Sequence, residues 1–234
     1  MIFKNTLLRA FDSQTIARLG LKAVVFKIGQ KIETPGEPIR YVYFVENGMV
    51  SMTTTFKDGS EVEVGMFGYE SVIGVSALMG TLQSLNHVYT QIEGTGYRCT
   101  LDAAKNEFNR DEIFHKLCLR YVQAQLVQCI QSAGCAARHN FEQRLSRWLL
   151  ISADRAHTES FKMPQEFLSH MLGSTRPTVS LVAGTLKKEK LITYTRGQIR
   201  IVDRKGLEER SCECYRVIRD YLTNYEALDS LHMG

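Results

Sequence analysis

Two different periods of apolar and polar residues divide this chain. From Lys22 to Asp102, short β-branched and aromatic runs recur: KAVVFK, YVYFVENG, MVSMTTTF, SEVEVGMF, HVYTQIE and YRCTLD. Runs of this length bounded by turn residues predict the strands of an antiparallel barrel or sandwich. The breakers are Pro35-Gly36, Asn47-Gly48, Asp58-Gly59, Phe67-Gly68 and Gly94-Thr95-Gly96. Asn-Gly and Asp-Gly favour the positive φ that two-residue hairpins require, so a jelly-roll-like arrangement is expected. No long-period repeat is present, which argues against a solenoid or propeller.

Beyond Asp102 the period lengthens. Asp111 to Ala137 contains no proline and a single glycine, Gly134, in a run long enough for about seven helical turns. Leu119, Val122, Leu126, Cys129, Ala133 and Ala136 step by three and four, the spacing of a coiled-coil seam. Parallel pairing of two copies is one reading; packing of the stripe on its own barrel is the other. Ile113, Leu117 and Tyr121 offer a second apolar face for the barrel, which favours pairing through the first. Another helix, from about His139 to Arg155, carries Phe141, Leu145, Trp148 and Leu149 on one side, and a hinge is expected near Ala136 to Asn140.

Residues 164–203, PQEFLSHMLGSTRPTVSLVAGTLKKEKLITYTRGQIRIVD, read as helix, tight turn, helix and hairpin. Phe167, Leu168, Met171 and Leu172 form the buried stripe of the first helix, and Pro164 falls in its first turn, where a missing N–H costs little. Gly173 supplies the turn, and Thr175 is the expected N-cap of the next helix, with Pro177 in its first turn. Val179, Val182, Ala183 and Leu186 face inward, leaving Arg176, Thr178, Ser180 and Leu181 outward. A helix N-terminus of this kind enters the major groove in helix-turn-helix proteins. Arginine there bonds a guanine edge bidentately, while hydroxyls such as Thr175 and Thr178 hold phosphates. Leu191 to Thr195 and Gln198 to Val202, joined across Arg196-Gly197, form the expected wing.

Charge sharpens this division. The net charge is only +4, but residues 33–102 hold nine acids against three bases, and residues 160–204 hold eight bases against three acids. The second imbalance is the footprint of phosphate binding, and Lys187 and Lys188 belong to it. A chain of 234 residues with 44% apolar content supports two cored domains. No run approaches a membrane span, and MIFKNTLLRAFDSQ lacks a signal-peptide core, so a cytoplasmic protein without membrane attachment is expected. The six cysteines, at 99, 118, 129, 135, 212 and 214, follow no disulfide-scaffold spacing and are expected to be reduced.

The layout resembles the Crp/Fnr superfamily of bacterial regulators over nearly the whole chain. The family's helix-turn-helix reads close to L-G-x-[ST]-R-x-T-V-x-x-x-L; Leu172, Gly173, Thr175, Arg176, Thr178 and Val179 match that frame, and the closing leucine is Leu186, three positions later than the frame puts it. The resemblance implies an α+β fold: a cyclic-nucleotide-binding-like jelly-roll β-barrel over 1–110, a dimerisation helix over 111–138 and a winged helix-turn-helix over 139–234. It implies base reading by Arg176 and backbone contacts by Thr175 and Thr178; Ser180, Lys187, Lys188 and Arg196 complete the expected DNA-contact set. It also implies a homodimer, with Leu119, Val122, Leu126, Cys129 and Ala133 at its interface, on an inverted-repeat operator in double-stranded DNA, with RNA polymerase as a further partner. Pro177 replaces the glutamate of the best-known members, and Leu181 replaces an arginine, so a different half-site is expected.

The family's cyclic-nucleotide cassette, G-E-L and then R-[ST]-A, is missing. Ile73-Gly74-Val75-Ser76 stands in place of the first part, and Ser84-Leu85-Asn86-His87-Val88 brings no arginine to the second. Cyclic AMP is therefore not the expected effector, because a desolvated phosphate would lack a cation. Gly74, Val75, Ser76, Asn86 and His87 remain the candidate lining of a pocket for an unknown effector. An iron-sulfur cluster on N-terminal cysteines is not expected, since none precedes Cys99. Cys135 and His139 share a helical face, but two ligands do not make a metal site, and none is assigned. Cys212 and Cys214, two apart on a helix expected over Leu207 to Tyr225, would point to different faces and serve packing.

The leading expectation is a homodimeric regulator whose barrel receives a signal. The alternative is a DNA-binding regulator whose barrel only dimerises or docks another protein. A metalloenzyme on a cupin-like barrel is disfavoured, because only His87 of the six histidines falls in the barrel.

Overall fold

The computed structural model describes residues 2–110 and 112–226. Asp111, where the long helix and its domain were expected to begin, and the terminal residues 227–234 lie outside the described residues. Two short helices, α1 (Thr6–Ala10) and α2 (Ser13–Leu19), lead into the sheets. The strands that follow are β1 (Lys22–Phe26), β2 (Lys31–Glu33), β3 (Tyr41–Val45), β4 (Met49–Thr55), β5 (Glu61–Phe67), β6 (Val72–Ile73), β7 (His87–Ile92) and β8 (Gly94–Thr100). They form two antiparallel four-stranded sheets, ordered β1-β8-β3-β6 and β2-β7-β4-β5. Phe26, Val42 and Phe44 from one sheet and Val50, Phe67 and Val88 from the other meet in a shared core. The expected closed barrel is thus a jelly-roll-like sandwich, whose sheets share side chains without closing into one ladder.

Two breakers behave differently from expectation. Asn47-Gly48 is no hairpin turn: β3 pairs with β8 and β6, and β4 with β5 and β7, so this turn passes the chain between sheets. Gly48 has φ +82, and a Cβ there would lie 2.7 Å from the Ile92 and Glu93 carbonyls. Gly94 and Gly96 lie inside β8 rather than ending a strand, because a Cβ at Gly96 would stand 2.2 Å from the Phe44 carbonyl oxygen. Close backbone approach, not turn geometry, explains these two glycines. Asp58-Gly59 does lie in the β4–β5 hairpin, within a loop longer than two residues.

Helix α3 (Leu101–Phe108), capped by Thr100, precedes α4 (Ile113–Arg138), the long helix anticipated from the sequence. The Asn140–Gln143 capping box then starts α5 (Phe141–Ala156). Beyond it come β9 (Ser160–Lys162), α6 (Gln165–Met171), α7 (Arg176–Lys188), β10 (Ile192–Thr195), β11 (Gln198–Ile201), α8 (Arg204–Arg210) and α9 (Cys214–Glu226). Strand β9, too short to register as a period in the sequence, pairs with β11 and makes the wing three-stranded. The single helix expected over Leu207 to Tyr225 is broken at 211–213 into α8 and α9.

The C-terminal domain docks directly on the sandwich. Its core of Leu145, Trp148, Leu149, Leu168 and Met171 includes Met49 and Met66 from the sheet. The Trp148 indole donates to Glu63 on β5 at 2.7 Å, and the Ser51 hydroxyl meets the other oxygen of that carboxyl at 2.5 Å. Arg155 pairs with Glu70 at 2.8 Å, both almost fully buried, and donates to Gln128 of α4 at 2.7 Å. Gly68 makes room for this ion pair, since a Cβ would fall 2.6 Å from that of Arg155.

Although Glu63 keeps some residue surface, its carboxyl is enclosed, and burial pushes it up to about 7 against the pull of Ser51, Trp148 and two arginines. A carboxyl raised in the folded state holds its proton between the unfolded and folded values, so stability falls as pH rises through that window and levels off above about 7. Glu63→Gln should abolish this slope, on the order of 2 kcal/mol between pH 5 and 8. Urea denaturation across that pH range checks it; an unchanged slope in the variant would assign the dependence elsewhere.

Candidate nucleic-acid interface

The helix-turn-helix is assembled by local chemistry. Pro164 sits at the N-cap of α6, one position before the helix proper, and Leu168, Met171 and Leu172 are buried beneath it. Gly173 adopts φ +56, which carries the chain through the turn, and Arg144 of α5 donates to the Leu172 carbonyl. Thr175 caps α7 as expected: its hydroxyl accepts from the Thr178 N–H at 3.4 Å and lies 2.9 Å from the Thr178 hydroxyl. Val179, Ala183 and Leu186 are buried, and Val182 packs partly against them. This fixes the outward face as Arg176, Ser180 and Leu181, the last 74% exposed despite being apolar.

Arg176 is exposed and paired with Glu166 of α6. An ion pair between two solvent-exposed side chains is worth at most about 1 kcal/mol, so a nucleic-acid partner can displace it at little cost. Glu166 lies ten residues before Arg176 in the chain; helix crossing, which sequence spacing does not encode, makes it a neighbour. Arg196 and Gly197 take φ +51 and +80, the left-handed pair of a type I′ hairpin, and this projects the Arg196 side chain from the wing tip. Arg176 and Arg196 border one open concavity, together with Pro164, Gln165, Glu166 and Tyr194. Lys187 donates to the Tyr194 carbonyl at 3.3 Å, so its ammonium is held against the wing, while Lys188 is exposed in the last turn of α7.

The α4 stripe needs one correction. Leu119, Leu126 and Ala133 are exposed, but Val122 packs on the sandwich core, and the Cys129 thiol donates to the Val64 carbonyl at 3.2 Å. The outward seam instead runs Leu119, Gln123, Leu126, Ile130, Ala133 and Ala137, stepping alternately by four and three. Ile130, 62% exposed, was missed because polar Gln123 breaks the apolar stripe it belongs to.

In the sandwich, Gly74 takes φ +87 before a 3-10 turn over Val75–Met79, with Val75 buried and Ser76 half-buried. Asn86 and His87 flank the start of β7, where Asn86 donates to the Thr53 carbonyl at 3.4 Å. None of these five residues lines the cavity that opens beside Ser84. The nearby cavity of about 410 Å³ is lined instead by Glu33, Glu37, Arg40, Tyr41, Tyr43 and Ser84, among others. Burial holds the Glu33 carboxyl above its usual range, and the Ser84 hydroxyl, donating at 2.6 Å, pulls it the other way.

With this geometry in place, similarity to known proteins is decisive. A profile for the Crp-like helix-turn-helix domain matches residues 143–210, and one for the cyclic nucleotide-binding domain matches residues 23–111, together about two thirds of the chain. The chain belongs to the Crp/Fnr family. This regulator is 25% identical over 219 residues to the global nitrogen regulator of Synechococcus elongatus, a match covering 88% of this chain and 97% of that one. It is 26% identical to the transcriptional regulator SdrP of Thermus thermophilus, over 80% of this chain and 93% of that one. Its fold matches FixK2 from Bradyrhizobium japonicum with a TM-score of 0.70 at 18% identity, covering 82% of this chain and 98% of that structure.

The cap at Thr175 positions the N-terminal turn of α7. Thr175→Ala should cost about 1 kcal/mol of stability, and Thr175→Ser should restore most of it. Thermal or urea unfolding measures both; equal losses in the two variants would mean that the methyl group, not the cap, matters.

Proposed function

We propose that this Crp/Fnr regulator binds an inverted repeat in double-stranded DNA as a homodimer, with α7 in the major groove and the wing on the flanking backbone. The observation that carries this reading is the shared open face of Arg176 and Arg196, one at a helix N-terminus and the other on a hairpin tip. A guanidinium at the first position reaches a base edge, and one at the second meets only phosphate. Ser180 and Lys188 extend the same positive surface, and Thr175 and Thr178 contribute hydroxyls at its edge. Half-sites are expected about one helical turn, roughly 34 to 36 Å, apart.

The pairing surface is the outward seam of α4, where Leu119, Leu126 and Ile130 expose 46, 51 and 62% of their surface. An apolar stripe at heptad spacing on a 26-residue helix is best covered by the same stripe of a second copy. Sensing follows from the docked arrangement, because a ligand or protein that shifts β5 moves Glu63 and thereby Trp148 of the DNA-binding domain. Cyclic AMP is not the proposed effector: the cavity beside Ser84 sets two acids, Glu33 and Glu37, against one cation, Arg40, a balance that disfavours a phosphate. The proposed setting is the cytoplasm, with RNA polymerase as the further partner at promoters.

Operator selection from random DNA, followed by affinity measurements on matched and mismatched sites across a salt series, tests the reading. Arg176→Ala should cost about 1 to 3 kcal/mol on the consensus and relax preference at one base per half-site. Arg196→Ala should weaken matched and mismatched DNA equally and lower the salt slope by roughly one unit per lost phosphate contact. Uniform loss with intact base preference in Arg176→Ala would remove α7 as the reader. Leu126→Arg places like charges across the pairing axis and should convert the dimer to monomer in sedimentation, with loss of operator affinity. A variant that stays dimeric would place the interface elsewhere.

A further inference from the structure

The break between α8 and α9 has a chemical consequence. It turns Cys212 and Cys214 to the same side, against the C-terminal turn of α4, where Cys135 and His139 sit one turn apart. The Cys135 and Cys212 sulfurs are 3.5 Å apart, the Cys214 sulfur is 3.6 Å from His139 Nδ1, and all four donor atoms lie within 4.8 Å of one another. We propose that Cys135, His139, Cys212 and Cys214 form a tetrahedral site for one zinc ion.

The spacing suits a mononuclear ion. Zinc–sulfur bonds of about 2.3 Å and zinc–nitrogen bonds of about 2.0 Å put tetrahedral donors roughly 3.5 to 3.8 Å apart. The donor set, three thiols and one imidazole, is that of structural zinc sites. Its surroundings are those of a built site as well. His139 Nε2 lies 3.2 Å from the Glu213 carboxylate, the partner that orients a zinc-bound imidazole through its second nitrogen. Gln131 donates to the Cys214 sulfur at 3.0 Å, and Arg147 acts on Cys135 as a nearby positive charge against the thiolates. The three cysteines are buried as a small cluster of their own, apart from the two apolar cores. Ordinary packing would supply such a cluster with aliphatic neighbours, not with a histidine and an amide.

The position gives the ion a role. Cys135 and His139 close α4 at the hinge before α5, and Cys212 and Cys214 belong to the segment that follows the wing and α8. One bound ion therefore clamps the end of the long helix to the start of α9. Binding requires three thiolates and is lost as they protonate, so occupancy falls at low pH or on thiol oxidation.

The test uses the full chain, purified anaerobically with reductant, incubated with zinc and desalted. About one zinc per chain is expected by elemental analysis, and cobalt substitution should give the visible bands of a tetrahedral thiolate complex. Cys212→Ser and Cys214→Ser should lose the bound metal, while Cys129→Ser, a thiol outside the cluster, should keep it. Glu213→Gln, on an exposed side chain that leaves the fold intact, should weaken zinc about tenfold in chelator competition. This variant and the cobalt spectrum of the unaltered chain decide the matter even if the serine variants misfold. Reduced chain that takes up no stoichiometric zinc, cobalt bands without thiolate character, an iron-sulfur chromophore in place of the ion, or equal loss in Cys129→Ser would each overturn the site.

Discussion

The arrangement of this regulator depends on a polar joint between its two halves. Arg155 and Glu70 are buried together where α5 meets the sandwich, and Gln128 of α4 accepts from the same guanidinium. A buried ion pair adds little net stability over apolar packing, but removing one partner costs about 3 to 5 kcal/mol because a charge is left uncompensated. The joint therefore specifies geometry more than it stabilises: sandwich, long helix and DNA-binding domain must all be in register for its charges to be met. Glu63 and Trp148 repeat the principle nearby, with a carboxyl that burial keeps close to neutral.

That joint places the reading surface. Trp148 and Arg155 hold α5 against the sandwich, and Arg144 of the same helix grips the turn before α7, so a continuous chain of contacts links β5 to α7. Val62 of β5 also lies 3.4 Å from where a Cβ of Gly173 would stand, so sheet and turn are in direct contact. A zinc clamp at Cys135 and His139 would add a second tie at the end of α4. One device joins α4 to α5 at Gln128 and Arg155, and the other holds the end of α4 at Cys135 and His139.

Much of this was legible along the chain. The strands from β3 to β5 and β7, the long helix, the Thr175 cap and the Arg196-Gly197 turn all follow from short-range rules, in which a residue's backbone preference or the period of its neighbours decides the outcome. The helix-turn-helix around Arg176 was legible for the same reason, since its turn glycine, cap and apolar stripe lie within one short segment. Val122 and Cys129 also touch their own sandwich because two apolar faces adjoin on α4, and periodicity reports a face without saying what covers it.

The sequence by itself determined the classes of element, their order and the local chemistry of caps and turns, because those depend on residues within a few positions of one another. Only the tertiary structure decided which neighbours each element acquired. Asn47-Gly48 is a competent turn in either topology, and strand pairing made it a crossing between sheets. Gly96 is a strand glycine because Phe44 of a distant run presses on it. Cys135 and His139 were only a pair of candidate ligands until the break at 211–213 brought Cys212 and Cys214, more than seventy residues away, beside them, with all four donor atoms within 4.8 Å of one another. Contacts between residues so far apart depend on the whole packed core, and no local pattern carries them.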